Sequence, residues 1–286
     1  MKSRQHQIGN NNSIFLLGCF LVLLLLLHCQ PKSVMAQEVE DEREFDYLKE
    51  SKKGPQYWGD IKKEWAACKN GETQSPIDLS NQRVEIIHKP EELYINYKPS
   101  NATVKNRGHD ISLQWENGEA GSITINSTDY FLQQGHWHSP SEHSINGRRY
   151  DMELHLVHAS KDYKIAVIGA LYKIGPAEPF LAQLMNNIST MIDGKDERNM
   201  GMIDPREIEL GGKRHYRYMG SLTVPPCTEG VIWTINRKVK TVSREQVKLL
   251  REAVHDYAEE NARPLQSLNT REIHLYDSPE DINNRS

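Results

Sequence analysis

The chain has 286 residues, of which 26% are charged, and a formal net charge of −4 at pH 7. This length is enough for one large domain with a substantial core. The mildly acidic balance and the lack of a basic block exclude the electrostatic footprint of a nucleic-acid-binding protein.

Residues 1–36 have the pattern of a secretory signal peptide. Lys2 and Arg4 give a basic start, Ile14–Leu27 is an apolar run, and Val34–Ala36 has the small-residue pattern of a cleavage site. A membrane span needs about 20 apolar residues, so this run of 14 is short, and an uncleaved anchor is the alternative. Cleavage leaves residues 37–286 with 32 basic and 39 acidic side chains, a net charge of −7, and no stable membrane anchor.

Two of the four cysteines lie in the predicted signal peptide, and Cys68 and Cys227 remain. An even pair in an oxidising compartment favours one disulfide, and two buried free thiols are the alternative. Three Asn-x-Ser/Thr sequons are predicted glycosylation sites of a secreted chain: Asn101, Asn126 and Asn187.

Residues 37–53 are charged and nearly free of aliphatic side chains, which predicts an N-terminal arm held down by a few aromatic residues. The globular part begins at Gly54-Pro55. Trp58 and Trp65 lie in a short, partly helical segment that ends near Cys68.

From Leu93 to Trp233, short segments of alternating or β-branched apolar residues are separated by turn formers, the pattern of successive β-strands. Strands are predicted at 93–97, 110–115 and 122–125. The almost unbroken apolar run 165–174 predicts a central strand that is buried on both faces.

Two helices are predicted, over 177–193 and 243–261, and Ser243 is the expected N-cap of the second. The chain has no internal repeat, no low-complexity linker and no break in composition. We therefore expect a single domain that is mostly β with peripheral helices, built on a large, mostly antiparallel sheet.

The most informative stretch is Gly135-His136-Trp137-His138, followed by His155 in a second strand-like segment. Side chains two apart on a strand share a face, so His136 and His138 project together and His155 can complete a set of three. Three imidazoles leave one position of a tetrahedral zinc open for water, as in a catalytic site. Core histidines with satisfied hydrogen bonds are the alternative.

Two polar residues are placed to support these histidines. A zinc-bound histidine usually donates its second ring hydrogen to a carboxylate, amide or backbone carbonyl. Glu153 lies two residues before His155, and Gln134 lies two residues before His136, so each shares a strand face with its histidine.

A second unusual stretch runs from Ser221 to Cys227 and contains Thr223 before two prolines. The Thr223 hydroxyl can accept a hydrogen bond from zinc-bound hydroxide if its own hydrogen is engaged elsewhere. Glu142 is the expected acceptor for that hydrogen, and a simple tight loop is the alternative for Thr223.

These motifs together resemble those of the alpha-class carbonic anhydrases, particularly the secreted members of plants. The resemblance covers residues 54–276, a predicted carbonic anhydrase domain followed by a C-terminal tail at 277–286. Each block alone is moderately specific, and the blocks in this order are highly specific: Gln74-Ser-Pro-Ile-Asp78, Gly135-His-Trp-His138 with Ser141-Glu-His143, Glu153-Leu-His-Leu-Val-His158, Ser221-Leu-Thr-Val-Pro-Pro-Cys227 and Asn261-Ala-Arg-Pro-Leu-Gln266.

The resemblance implies a twisted, mostly antiparallel sheet of about ten strands and a role for each matching residue. His136, His138 and His155 match the three zinc ligands. Thr223 and Glu142 match the gatekeeper pair, and the partners of the ligands are matched by Gln134, Glu153 and the backbone of Asn261. His109 matches the mobile proton shuttle, with Tyr47 in its water network, and Cys68 and Cys227 match a disulfide. The apolar wall that holds carbon dioxide is matched by Val157, Val167, Leu222, Val231 and Trp233.

Four positions depart from the animal pattern. Val224 replaces a second threonine that is a possible bicarbonate contact, while Arg107 and Ser112 replace asparagines beside the shuttle's water chain. Arg107 is expected to disfavour protonation of His109 by like-charge repulsion. Gly135 stands where a bulky apolar residue is common and is expected to loosen the packing beside His136.

The implied activity is the reversible hydration of carbon dioxide to bicarbonate and a proton through zinc-bound hydroxide. The alternative is a storage or carbohydrate-binding protein on the same fold, with weak or lost activity. The triad together with Glu142 and Thr223 favours the enzyme. The implied location is the secretory pathway, leading to the cell exterior or apoplast, or alternatively to the plastid stroma.

Overall fold

One large sheet contains most of the strands in the computed structural model, which describes residues 44–87, 93–116, 118–192, 196–210 and 214–276. The predicted signal peptide, the first part of the arm and the tail at 277–286 lie outside the described residues. The strands are β1 (Asp78–Leu79), β2 (Val84–Ile87), β3 (Leu93–Tyr97), β4 (Ser100–Asn106), β5 (Ile111–Trp115), β6 (Gly121–Ile125), β7 (Thr128–His138), β8 (Ser144–Ile145), β9 (Arg148–Arg149), β10 (Met152–Ser160), β11 (Ile165–Ile174), β12 (Asp196–Ile203), β13 (His215–Ser221), β14 (Glu229–Asn236), β15 (Lys240–Val242) and β16 (Ile273–Tyr276).

The predicted mostly antiparallel sheet is confirmed. Within the described residues the sheet has 13 strands, and ten of them follow one continuous path, β12-β4-β5-β7-β10-β11-β14-β13-β16-β2. Most neighbouring pairs are antiparallel, and β11–β14, β11–β15 and β16–β2 are parallel. A separate small sheet joins β1, β8 and β9.

The centre of the sheet is formed by β7, β10 and β11. As its apolar run predicts, β11 is buried along its first eight residues, because it lies between β10 and β14 and is covered on both faces. The antiparallel register of β7 and β10 places His136 opposite His155 and His138 opposite Glu153. The two strands therefore bring the histidine motifs together.

The helices lie at the periphery and are shorter than predicted. They are α1 (Trp58–Ile61), α2 (Ala67–Asn70), α3 (Pro179–Ile188) and α4 (Arg244–Ala253), and short 3₁₀ turns cover Lys63–Trp65, Asn81–Arg83, Pro205–Glu207 and Asp256–Ala258. None of the helices in the described part of the chain combines the length and apolar content that a membrane crossing requires.

The prediction of helix over 243–261 is correct at its start and wrong at its end. Ser243 is the N-cap and forms a capping box with Gln246. The helix ends at Ala253 because the next residue is extended, and the Asn106 side-chain amide donates a hydrogen bond of 2.6 Å to the Ala253 carbonyl. This cap comes from a distant strand.

The predicted helix over 177–193 is also shorter, covering Pro179–Ile188. Its start is fixed by Glu178, whose carboxylate accepts a hydrogen bond from the Leu181 N–H at 2.6 Å. Beyond Ile188 the backbone turns, and the hydroxyls of Ser189 and Thr190 bond to nearby carbonyl groups. Such local bonds compete with a continuing helix.

The N-terminal segment is tied to the sheet by aromatic packing and a disulfide. Phe45, Trp58 and Trp65 are buried and meet edge to face, as expected for an arm held by aromatic residues. The predicted disulfide is confirmed, because Cys68 and Cys227 are bonded across 159 residues of chain.

Candidate metal centre

Three imidazole rings converge where β7 pairs with β10. The ring centroids of His136, His138 and His155 lie 4.7, 4.9 and 5.1 Å apart. One nitrogen from each ring lies within 4.8 Å of the others, and each residue is at most 1% exposed. The spacing and register of the two strands thus produce a compact group of three nitrogen donors.

The second nitrogen of each ring is held by an acceptor. His136 Nδ1 donates to Gln134 Oε1 at 2.9 Å, and His138 Nδ1 donates to the Asn261 carbonyl at 2.7 Å. His155 Nε2 donates to Glu153 Oε1 at 2.9 Å. These bonds assign the tautomers and leave two Nε2 lone pairs and one Nδ1 lone pair for the centre of the group.

This donor set fits a zinc ion. His138 Nε2 is buried with no hydrogen-bond partner, an arrangement that is costly unless another group binds that nitrogen. Burial holds the pKa of His136 well below its usual value, so its ring is neutral, as a ligand must be. At His138, burial lowers the pKa, but the Glu142 carboxylate and other acceptors raise it, and the resulting pKa lies above its usual value. A proton therefore competes with a metal at His138.

The Glu153 carboxylate organises a buried network behind the triad. Its Oε1 accepts from His155 and from His143 Nδ1 at 2.7 Å, and its Oε2 accepts from the backbone N–H groups of Glu142 and His143 at 2.9 and 2.8 Å. Burial alone would raise the pKa of Glu153, but the two imidazoles hold it well below its usual value. The buried charge of Glu153 is thus stabilised by four donors.

The network continues from His143 to Tyr218 and Ser75. Since His143 Nδ1 donates to Glu153, its Nε2 accepts from the Tyr218 hydroxyl at 2.6 Å, and that hydroxyl bonds Ser75 Oγ at 2.8 Å. The sequence reading gave His143 no role, although it lies in the quoted Ser-Glu-His motif. Its contact with Glu153 depends on tertiary structure.

Glu142 lies beside the triad and is held by Arg263. Its Oε1 accepts from the Arg263 N–H at 2.9 Å. Its Oε2 lies 3.6 Å from His138 Nε2 and is buried with no hydrogen-bond partner, so the expected bond from Thr223 is not formed in this structure. Thr223 itself is 2% exposed in the loop after β13.

The Arg263 side chain anchors this part of the molecule and was missed from the sequence. Its guanidinium is buried and donates to Gln74 Oε1 and to the carbonyls of Ser75 and Cys68 at 2.8–2.9 Å. Burial lowers its pKa to about 10. Arg263 therefore connects the disulfide, the 74–76 segment and the backbone that holds Glu142.

His109 lies in a buried pocket beside Phe45. It is 1% exposed, the two ring centroids are 5.1 Å apart, and burial lowers its pKa to about 4. In this conformation the imidazole is neutral at pH 7, and burial contributes more to that than the expected repulsion from Arg107.

Arg107 is paired with a residue that the sequence reading overlooked. Its guanidinium forms two hydrogen bonds with the Asp110 carboxylate, one of them Nε to Oδ1 at 2.7 Å. Asp110 Oδ2 also lies 3.6 Å from His109 Nε2, and it raises the pKa of that ring by more than Arg107 lowers it. Burial alone would raise the pKa of Asp110, but Arg107 and His109 hold it well below its usual range.

The Asn261 side chain joins the His109 segment to β7. Its Nδ2 donates to the carbonyls of His109 and Trp137 at 2.9 and 3.1 Å, and its Oδ1 accepts from the Ser139 N–H at 2.8 Å. Asn261 therefore fixes the end of β7 with its side chain as well as holding His138 with its carbonyl.

The expected apolar wall forms one cluster beside the triad. Trp233 packs its ring 4.8 Å from that of His155. The other members of the same cluster are Val157, Val167, Leu222 and Val231. Val224 packs in the second hydrophobic cluster of the molecule instead.

The remaining predicted residues lie around this centre. Tyr47 is buried against Phe45 and Trp58, and Ser112 is the β5 register partner of His136. The expectation of loose packing at Gly135 is wrong. A Cβ there would lie 2.9 Å from Leu156 Cδ2, so a leucine from β10 already fills the space.

The chain belongs to the alpha-class carbonic anhydrase family. The model for eukaryotic-type carbonic anhydrase matches residues 53–277. The family is zinc-dependent, and the triad described above is present in this chain.

Several known proteins similar to this chain are plant proteins. Carbonic anhydrase Nec1 of Nesocodon mauritianus is 53% identical over 270 residues, which cover 93% of this chain and 96% of the relative. Alpha carbonic anhydrase 7 of Arabidopsis thaliana is 56% identical over 240 residues, covering 84% and 87%. The crystal structure of dioscorin complexed with ascorbate is 44% identical, with a TM-score of 0.80, and covers 82% of this chain and 98% of dioscorin.

Proposed function

We propose that this protein is a zinc enzyme that catalyses the reversible hydration of carbon dioxide to bicarbonate and a proton. The observation that carries the proposal is the group of three buried imidazoles, each oriented by a separate acceptor. When bound, zinc lowers the pKa of a coordinated water to about 7, as is established for carbonic anhydrases, and so supplies a hydroxide nucleophile near neutral pH.

Glu142 and Thr223 would orient the hydroxide nucleophile by hydrogen bonding. The free Oε2 of Glu142 is the acceptor available for the Thr223 hydrogen, because Arg263 already occupies Oε1. A threonine hydroxyl whose hydrogen is engaged presents only lone pairs to the nucleophile. Thr223 would therefore accept a hydrogen bond from the nucleophile. A lone pair of the nucleophile would then point toward the substrate.

Carbon dioxide would bind against the apolar wall. Trp233 is buried next to His155 and packs in one cluster with Val167, and an apolar surface suits an uncharged, nonpolar substrate. Val224 offers no hydroxyl to bicarbonate, so the product would have fewer contacts than a threonine would give it.

His109 is the proposed proton carrier to solvent. Its depressed pKa in the buried position favours release of a proton, and rotation toward solvent would restore a value suited to exchange near neutrality. His109→Ala should lower turnover in weak buffer and recover with added imidazole. Failure to recover would remove His109 from this role.

Stopped-flow measurement of carbon dioxide hydration tests the proposal. Zinc-loaded protein should accelerate hydration above the buffer rate, a chelator should abolish this, and added zinc should restore it. A zinc-loaded preparation with no rate above buffer would contradict the proposal.

Dioscorin provides the second candidate, a storage or carbohydrate-binding protein on this fold. The observation in its favour is the likeness to a dioscorin structure that contains ascorbate. A fold does not establish an activity. This candidate predicts no chelator-sensitive hydration in the same experiment.

Secretion is part of the proposal, with the cell exterior or the plastid as destination. The disulfide suits an oxidising compartment. Asn101 and Asn126 are exposed, the latter at the turn between β6 and β7, while Asn187 is half-buried in α3. Glycosidase treatment of the protein from its natural source should lower its mass if these sequons carry glycans.

A further inference from the structure

A second group of metal-ligand side chains lies at the β2 edge of the large sheet. His274 on β16 and Glu85 on β2 are register partners in a parallel pair, and such partners point to the same face. Glu272 lies two residues before His274 and shares that face. These three residues have no part in the centre described above.

The spacing of these three side chains suits a metal ion. His274 Nε2 lies 3.4 Å from Glu272 Oε2 and 3.7 Å from Glu85 Oε2, and the three ligand atoms lie within 4.8 Å of one another. With metal–ligand bonds of about 2.0–2.2 Å, neighbouring ligands of a tetrahedral zinc are about 3.3–3.5 Å apart. Small side-chain rotations would bring all three atoms to that separation.

The charges of the two carboxylates also favour a cation. Two carboxylates this close repel each other, and no lysine or arginine forms an ion pair with either one among the residues described. The nearby Arg271 guanidinium is committed to backbone carbonyls, including those of Leu268 and Gln74. A divalent ion between the carboxylates would relieve the repulsion.

The site is open to solvent. The side chains of Glu85, Glu272 and His274 are 65%, 77% and 33% exposed. Together with Arg83 and Arg271, the two glutamates also line a surface pocket of about 270 Å³, a volume that can admit a hydrated ion.

We propose that Glu85, Glu272 and His274 form a surface site for a divalent transition metal of the zinc class, with water in the remaining position. An imidazole ligand favours zinc or copper over calcium and magnesium, which prefer oxygen ligands. Binding would clamp β2 to β16 at the edge of the sheet. The site is separate from the triad and does not depend on carbon dioxide hydration.

Zinc binding to the full mature chain tests this site. Zinc-loaded protein is dialysed against metal-free buffer and titrated with zinc by calorimetry, with bound zinc counted by atomic absorption. The wild type should bind one more zinc per chain than His274→Ala, and Glu272→Gln and Glu85→Gln should weaken that additional binding at least 10-fold. Because the comparison is a difference between variants, it holds whether or not the triad supports hydration.

The matched control is His255→Ala, which removes a half-buried histidine outside the metal-ligand groups of the described residues. It should bind as much zinc as the wild type. Circular dichroism of the two glutamine variants shows whether each remains folded. Equal zinc counts in the wild type and His274→Ala would overturn the proposal. The group would then be only a contact between a histidine and two carboxylates, without a metal.

Discussion

At the scale of single residues, Glu142 has one oxygen bound by the Arg263 N–H and one buried oxygen beside His138. Thr223→Val removes the hydroxyl proposed to use that free oxygen while keeping the side-chain shape. We expect kcat/KM for carbon dioxide hydration to fall about 10²-fold, the typical cost of a misaligned reactant, with zinc content unchanged.

Thr228→Val is the control for this prediction, since Thr228 lies in the same loop outside the metal centre. Its hydration rate should match that of the wild type. Equal rates for Thr223→Val and Thr228→Val would show that the Thr223 hydroxyl does not orient the nucleophile.

The buried pair of Arg107 and Asp110 gives a stability prediction. The two side chains are 6% and 1% exposed, so Asp110→Asn leaves a buried guanidinium without its counter-charge. Breaking such a pair costs about 3–5 kcal/mol, measurable by urea unfolding at pH 7. The double variant that combines Asp110→Asn with Arg107→Met should recover part of the lost stability. If the double variant is as unstable as Asp110→Asn alone, the unpaired guanidinium is not the cause of the loss.

The same pair predicts a pH dependence. The folded-state pKa of Asp110 is depressed, so its contribution to stability is fully present above the unfolded value of about 3.9 and is lost as the pH falls below it. Unfolding free energies from pH 6 to pH 3 should therefore fall less steeply in the double variant than in the wild type.

Residue types at strand spacing predicted the triad, because alternation along a strand is a local property of the backbone. The same local reasoning found Gln134 and Glu153. It missed Asp110 and His143, whose importance comes from contacts with Arg107 and Glu153 that only the folded chain reveals.

At the scale of elements, the start of α4 depends on the Ser243 capping box. Ser243→Ala removes the hydroxyl that accepts from the Gln246 N–H at 3.2 Å. We expect a loss of about 1 kcal/mol in the free energy of unfolding, measured by urea titration. Ser243→Thr keeps a capping hydroxyl and should lose less, whereas equal losses would contradict the capping account.

The two long helices show where sequence patterns stop being sufficient. Both starts carry local chemistry, Ser243 for α4 and Glu178 with Pro179 for α3. The end of α4 does not, because the Asn106 amide donates to the Ala253 carbonyl at 2.6 Å. Asn106 belongs to β4, so no helical periodicity could indicate this end.

At the scale of the whole molecule, the Cys68–Cys227 disulfide joins the N-terminal helical segment to the loop after β13. Replacing both cysteines with serine should lower the free energy of unfolding by about 2–5 kcal/mol, the typical loss for a native disulfide. The measurement is urea unfolding without reductant. With reductant, the unfolding midpoint of the wild type should shift toward that of the double variant. An unfolding midpoint that is the same in the double variant and the wild type would contradict a stabilising role of the disulfide.

Several strands of the sheet were predictable from alternation, and the order of the strands was not. Pairing of β11 with β14, and of β16 with β2, joins segments that are distant in sequence. Local sequence patterns carry no information about such pairings, whereas the family motifs indicated the overall architecture.

We propose that one zinc ion, held by His136, His138 and His155, activates the hydration of carbon dioxide. Its most direct test is the hydration rate of metal-free protein as zinc is added in known equivalents. We predict a linear rise that reaches its plateau at one tightly bound zinc per chain, and no rise in His155→Ala. A flat rate through the first equivalent in the wild type, or an equal rise in His155→Ala, would contradict the account.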